Sequence, residues 1–144
     1  MTDTEVRACA VQIESVDGAV RRYRRHPNGG GLVEVTATVA ESATVHESAY
    51  VESGSVLGDG THVGPGCWIE SGARIGTDVT VGQNAHLGSG SRIGDGARIG
   101  ANARLGTSVV VAAGARVAID ARVADRGVVL DRRRARSSDF QTAA

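Results

Sequence analysis

Aliphatic residues recur at every sixth position of this chain for almost a hundred residues, without a slip in register. The column reads Val33, Val39, Val45, Val51, Leu57, Val63, Ile69, Ile75, Val81, Leu87, Ile93, Ile99, Leu105, Val111, Val117, Val123 and Val129. A second column, two positions earlier in each hexad, holds mostly small residues. A fixed short period is typical of a solenoid whose repeats share one continuous core. The pattern therefore predicts one short strand in each hexad, with its aliphatic residue facing inward.

The corners between these strands are predicted from a third column, three positions after the aliphatic residue. It contains Gly, Asn or Asp in most hexads, and these residues tolerate left-handed backbone at low cost. Three strands and three corners close one triangular coil of 18 residues, and coils stack like parallel strands roughly 4.8 Å apart. The seventeen hexads, at three per coil, predict five to six coils.

The two ends lack this period, which divides the chain into three segments. Residues 1–31 are predicted to form an N-terminal cap, with a possible hairpin of strands 8–15 and 19–25 and a flexible Gly-rich joint at 27–31. Residues 32–130 form the predicted β-helix. Residues 131–144 form a basic C-terminal tail.

Composition narrows the class of protein. The single Phe, single Trp and two Tyr exclude a conventional aromatic core. The polar start does not resemble a secretory signal, and no apolar run reaches transmembrane length. Cys9 and Cys67 do not make a disulfide framework, and Cys67 is expected to be a buried small residue. We therefore expect a cytoplasmic protein, or a virion component if a phage encodes it, without a membrane partner.

One face of the predicted prism is the most informative surface. It stacks, every 18 residues, Tyr50, Trp68, His86, Arg104 and Arg122, and the same face carries Glu52 and Glu70. Clustered surface aromatics favour an interface, so these residues are predicted to contact another subunit or a protein partner. A terminal segment covering the face and a ligand site are the alternatives.

Charge is polarised along the axis although the formal net charge is zero. The early coils are acidic and the late coils contain most of the arginines, so the polarised ends are a second candidate surface for a partner. Because the arginines are spread over all three faces, nucleic-acid binding is not expected.

The stretch 75–106, IGTDVT VGQNAH LGSGSR IGDGAR IGANAR LG, resembles the hexapeptide-repeat superfamily. This resemblance implies an all-β fold, a left-handed parallel β-helix. It leaves function open, because the superfamily includes acyltransferases, γ-class carbonic anhydrases and non-catalytic proteins.

The acyltransferases of this superfamily are commonly trimers that use a histidine as general base and bind an acyl-coenzyme A along the prism. The resemblance makes His46, His62 and His86 the candidate bases, with acetyl-CoA or another acyl-CoA as cofactor. The repeats run without the extra loop that many of these enzymes insert. No substantial C-terminal domain follows. Both features weigh against an enzyme.

A metal site is not predicted. The γ-class carbonic anhydrases place zinc ligands in a His-x4-His pair, and the corresponding positions here are Gln83 and Gly88. His46 and His62 are expected on adjacent coils, but zinc needs three or four donors.

Two functions are consistent with these features. The first is a non-catalytic structural or assembly protein, such as a bacterial or phage component, that forms a homo-oligomer, with a trimer favoured, and needs no cofactor. The second is a small trimeric acyl-CoA-dependent acyltransferase.

Overall fold

The computed structural model describes residues 10–14 and 20–130, and this part of the chain is built from strands and turns alone. It begins with β1 (Ala10–Glu14), β2 (Val20–Arg25) and β3 (Leu32–Glu34). Sixteen two-residue strands follow in chain order: β4 Thr38–Val39, β5 Thr44–Val45, β6 Tyr50–Val51, β7 Val56–Leu57, β8 His62–Val63, β9 Trp68–Ile69, β10 Arg74–Ile75, β11 Thr80–Val81, β12 His86–Leu87, β13 Arg92–Ile93, β14 Arg98–Ile99, β15 Arg104–Leu105, β16 Val110–Val111, β17 Arg116–Val117, β18 Arg122–Val123 and β19 Val128–Val129. Over these described ranges, no helix is long and apolar enough to cross a bilayer.

The strands form three sheets whose neighbours lie one coil apart. The first sheet has the order β1-β2-β3-β6-β9-β12-β15-β18, the second β19-β16-β13-β10-β7-β4, and the third β17-β14-β11-β8-β5. From β3 onward, every pairing is parallel and joins residues 18 positions apart, as in Trp68 beside His86. This is a left-handed parallel β-helix of about five turns, which confirms the fold predicted from the repeat.

The core is the interior of the prism. The aliphatic column is buried from Val45 to Val117, and the small residues two positions earlier are buried beside it. Burying this apolar surface contributes roughly 25 cal/mol per Å². Because no aromatic side chain lies inside the coils, the few aromatic residues of this region remain on the surface.

The N-terminal hairpin continues the first sheet in antiparallel register. β1 pairs with β2, and β2 pairs with β3. The Gly-rich segment that follows β2 is hydrogen-bonded rather than free: the Gly31 amide donates to the Val45 carbonyl at 2.9 Å, and the Val45 amide donates to the Asn28 carbonyl at 3.1 Å. His26 is buried, with Nε2 2.8 Å from the Ala43 carbonyl oxygen. The hairpin and this segment thus form hydrogen bonds with backbone groups that would otherwise be unpaired at the edges of β3 and β5.

The predicted tail, 131–144, lies outside the described residues.

The corners adopt the left-handed backbone predicted for them. Positive φ angles occur at Gly54, Gly60, Gly66, Gly72, Asp78, Asn84, Gly90, Gly96, Asn102, Gly114 and Asp120. Ser108 and Arg126 adopt the same conformation with φ of 55° and 63°, although their residue types give no signal for it. The corner geometry is therefore imposed by coil closure as well as by local preference.

We predict that two glycines of one hexad tolerate substitution very differently. A Cβ at Gly94 would lie 2.7 Å from Ala113 Cα in the next coil, whereas a Cβ at Gly96 would meet nothing within 4 Å. Gly94→Ala should therefore lower the free energy of unfolding by about 2 kcal/mol or more. Gly96→Asn should cost less than about 1 kcal/mol, because asparagine tolerates a positive φ. Urea unfolding measures both, and equal losses would contradict this account of coil stacking.

Candidate active site

The outward-facing column of the first sheet, called the ladder below, lies where the six-residue period predicts it. Parallel pairings join Tyr50 to Trp68, Trp68 to His86, His86 to Arg104 and Arg104 to Arg122. Tyr50 and Trp68 expose 42% and 46% of their surface. A single face therefore presents aromatic residues, an imidazole and two guanidinium groups in succession.

Two glutamates of this face are bound by donors of the same chain. Glu52 accepts a hydrogen bond from the Trp68 indole, Nε1 to Oε2 at 2.8 Å, and another from the Tyr23 hydroxyl. Glu70 interacts through Oε2 with His86 Nε2. In the structure, strands β2, β9 and β12 provide the partners.

Aromatic stacking fixes the plane of the His86 ring. The rings of Trp68 and His86 are nearly parallel, with centroids 4.7 Å apart and an interplanar angle of 7°. Tyr23 makes an edge contact with Tyr50, with centroids 6.4 Å apart. The N-terminal hairpin therefore reaches the start of the ladder, as the terminal-cover alternative expected in part, while Trp68 remains accessible.

The His86–Glu70 pair is suited to proton transfer. Each side chain is 30% exposed, so a substrate can reach them while bulk water is partly excluded. An ionised carboxylate only accepts hydrogen bonds, so His86 Nε2 carries the proton directed to Glu70. That tautomer leaves Nδ1 with a free lone pair. A carboxylate that orients a histidine in this way is a recurring arrangement in general-base catalysis.

A shallow groove of about 330 Å³ begins at this pair and runs toward the last coils. Its lining includes Arg104, Arg122, Thr107 and Asp125. Asp125 accepts a hydrogen bond from the Thr107 amide at 2.9 Å. Neither Arg104 nor Arg122 forms an ion pair with a carboxylate of the described residues. The groove therefore offers two uncompensated guanidinium groups beside the histidine.

The three candidate histidines are not gathered into one site. His46 is exposed, with Nδ1 2.9 Å from Ser48 Oγ, and His62 is exposed on β8 of the third sheet. Among these three, only His86 has a carboxylate partner within the described residues and borders a groove. Over residues 22–130, whose side chains the structure describes, no three side chains of His, Cys, Asp or Glu come together as metal ligands.

The His86–Glu70 contact follows from a spacing visible in the sequence. In this chain His86 precedes its aliphatic residue and Glu70 follows the equivalent residue of the preceding coil, so the two are 16 residues apart. Their placement on one face was predicted, whereas their contact was not. Tyr23, Thr107 and Asp125 were missed, and no sequence signal marks them.

Cys67 is an inward-facing thiol in the small-residue column. It is buried, and Sγ donates a hydrogen bond to the Gly82 carbonyl oxygen at 2.8 Å. Burial raises the pKa of the Cys67 thiol, although backbone hydrogen bonds from Ala85, Gly64 and Asn84 oppose the shift. A thiol with a raised pKa is a poor nucleophile, so Cys67 is a structural residue.

We predict that Cys67 makes the fold less stable in alkali. The folded chain keeps the thiol proton above about pH 8.5, where the unfolded chain releases it, so the free energy of unfolding falls as pH rises. In a Cys9→Ser background, the stability of the chain with Cys67 should fall relative to Cys67→Ala between about pH 7.5 and 9.5. Urea unfolding at several pH values measures this difference. A difference independent of pH would contradict the prediction.

Known proteins with similar sequences or structures bear on both family and activity. The sequence family described as "Bacterial transferase hexapeptide (six repeats)" matches residues 60–95. PerB from Caulobacter crescentus, solved with CoA and GDP-perosamine, is similar with a TM-score of 0.67 and 28% identity, over 69% of this chain and 50% of that chain. A mutant of GDP-perosamine N-acetyl transferase from Caulobacter crescentus, solved with the same two molecules, is similar with a TM-score of 0.67 and 29% identity, over 67% of this chain and 46% of that chain. The chain thus covers about half the length of these neighbours. No curated protein sequence matches it significantly.

These neighbours overturn the first functional interpretation, a non-catalytic structural or assembly protein. A structure similar to this chain carries the name of an acetyltransferase and holds CoA. The interpretation as a phage component has no support among them. The physical reason for the error is the weight given to the unbroken repeats. Outward side chains of adjacent coils bring His86 and Glu70 together without any inserted loop.

Three findings support the same family: the uninterrupted six-residue period, the parallel coils with their left-handed corners, and the match over residues 60–95. Together they support the hexapeptide-repeat superfamily of left-handed β-helix proteins.

Proposed function

We propose that this protein is an acyl-CoA-dependent acyltransferase that transfers an acetyl group to an amine, with His86 as general base. The observation that carries the proposal is the His86–Glu70 pair at the edge of an arginine-lined groove. The similarity to an N-acetyl transferase that binds CoA supports the reaction class. The cytoplasmic location expected from the sequence stays a prediction.

The reaction requires one proton acceptor at the attacking nitrogen. The amine lone pair attacks the thioester carbonyl, and the nitrogen loses a proton to His86 Nδ1 as the C–N bond forms. The C–S bond then breaks, and the proton passes to the departing sulfur, which leaves an amide and free CoA. Glu70 holds the tautomer with Nδ1 free and stabilises the imidazolium between the two transfers.

Arg104 and Arg122 suit the phosphate groups of the donor. They lie on adjacent strands of one face, and like charges directly opposite each other in a sheet destabilise it. A phosphate between or beside them would relieve this repulsion and accept bidentate hydrogen bonds. The guanidinium groups therefore provide an anion site beside the base.

A second subunit would complete the donor site. The groove is shallow, and at about 330 Å³ it lies at the low end of ligand pockets, too small for a molecule the size of CoA. The resemblance to trimeric transferases and the exposure of Tyr50 and Trp68 support a trimer in which a neighbouring chain forms the facing wall. The interface role assigned to Tyr50, Trp68, Arg104 and Arg122 stays a prediction.

The acceptor is proposed by chemical class. A similar protein is named GDP-perosamine N-acetyl transferase and was solved with GDP-perosamine. Nucleotide-linked amino sugars are therefore the first acceptors to test, followed by free amino sugars and simple primary amines.

We predict that His86→Ala lowers the rate of acetyl transfer by about 10²-fold or more, the usual contribution of a general base. The assay follows release of free CoA from acetyl-CoA in the presence of the acceptor panel. His62→Ala is the matched control, because His62 is exposed on another sheet, and it should retain the wild-type rate. Full activity of His86→Ala would overturn the assignment of the base. Failure of the wild-type protein to bind or use acetyl-CoA would overturn the proposed function.

The anion site has a separate test. Arg104→Ala and Arg122→Ala should each raise KM for acetyl-CoA, on the order of tenfold for a lost charge-assisted hydrogen bond, while kcat changes less. Arg98→Ala, whose side chain lies on the third sheet, should leave KM unchanged. Native mass spectrometry gives both the oligomeric state and the number of CoA molecules retained. Unchanged KM in both groove variants would exclude this groove as the donor site.

A further inference from the structure

We infer that Trp68 and Glu52 form a positioning pair that holds the His86 imidazole in its working orientation. This inference rests on the proposed function of His86. Neither Trp68 nor Glu52 is a candidate for the chemistry itself, since an indole cannot act as a base and Glu52 makes its hydrogen bonds to Tyr23 and Trp68.

The indole of Trp68 lies flat on the His86 ring, with 4.7 Å between centroids and 7° between planes. The pair of strands β9 and β12 sets the separation of their Cα atoms, but the torsions of each side chain are free to rotate both rings away. A second contact is needed to keep the indole in place over the imidazole.

Glu52 supplies that second contact. Its Oε2 accepts the indole Nε1–H at 2.8 Å, and its Oε1 accepts the Tyr23 hydroxyl proton. Tyr23 is buried on β2, so the carboxylate is held at one end by a fixed residue. Although Trp68 is nearly half exposed, its ring is therefore anchored through Glu52.

The charged groups around the His86 imidazole explain why the ring needs a second contact besides Glu70. Glu70 attracts the His86 ring from the preceding coil, and Arg104 repels an imidazolium from the next coil. Glu52 lies on the far side of Trp68, and Arg122 and Asp125 line the same groove. A ring held only by Glu70 could pivot about that single contact. The stacked indole removes this freedom, and its π face favours the imidazolium formed during the reaction.

The Trp68–Glu52 pair is thus expected to affect kcat rather than KM. A misplaced base still allows acetyl-CoA to bind, but it slows proton transfer, since catalytic rates are sensitive to displacements near 1 Å. Glu52→Ala should lower kcat on the order of tenfold, with little change in KM for acetyl-CoA, and Trp68→Ala should lower kcat at least as much. Trp68→Phe keeps a stacking ring and should recover part of the loss.

Fluorescence provides a test that does not need activity. Trp68 is the chain's only tryptophan, and a protonated imidazole in contact with an indole quenches its emission. Wild-type emission should fall as the pH is lowered. His86→Ala should abolish this fall, and Glu52→Ala should reduce it. Val110→Ala, an exposed apolar residue of the second sheet, should leave both the emission profile and kcat unchanged.

The possible results of these experiments distinguish the ring contact, the positioning role and the proposed function from one another. Quenching that is identical in wild type and His86→Ala would overturn the ring contact. Quenching reduced in Glu52→Ala with an unchanged kcat would overturn the positioning role and leave the proposed function intact. Absence of acetyl transfer by the wild-type protein would overturn the proposed function and the catalytic part of this inference, while the fluorescence of Glu52→Ala would still decide whether Glu52 anchors the indole. The inference is supported if quenching and kcat fall together in Glu52→Ala and Trp68→Phe restores part of the rate lost in Trp68→Ala.

Discussion

The hydrogen bonds between successive coils are the interaction on which the whole structure depends. The Trp68 amide donates to the Ala85 carbonyl, the Glu70 amide to the Leu87 carbonyl, and the His86 amide to the Ala103 carbonyl, at 2.9–3.0 Å. Each bond joins residues 17 positions apart and thereby holds a residue beside its strand partner 18 positions later. A two-residue strand has little stability alone, so the pairing of every coil with its neighbours maintains the register. Functional side chains therefore stand at fixed heights on a rigid face.

This rigidity has an electrostatic consequence that differs along the first sheet. Stacking at strand spacing brings like groups together, which destabilises a ladder of equal charges. Early in the sheet, the glutamates bind donors from neighbouring coils and from β2. Late in the sheet, Arg104 and Arg122 have no carboxylate partner among the described residues. The face therefore changes from a satisfied polar network to an unsatisfied positive groove, and the His86–Glu70 pair lies where the two meet.

The fold could be predicted from the sequence because its signal is repeated in every hexad. An aliphatic column, a small column and a corner column all agree, so one deviating residue such as Arg126 does not disturb the prediction. The site has no such repetition. The period placed Glu70 and His86 on one face, but their contact depends on side-chain torsions that a period does not specify. The interface role predicted for the same face stays a prediction, because it depends on a second chain.

The N-terminal hairpin links the protection of the solenoid to the geometry of the site. Of the three sheets in the described part of the chain, the first alone is extended by antiparallel strands, and it is also the sheet that carries the ladder. An open edge at β3 would expose unpaired backbone groups, and the antiparallel pairing of β2 with β3 prevents this exposure. The same strand places Tyr23 against Tyr50 and Glu52, so the carboxylate that anchors Trp68 is itself fixed. A cap required by backbone pairing thus also determines, through Glu52 and Trp68, how the His86 ring is held.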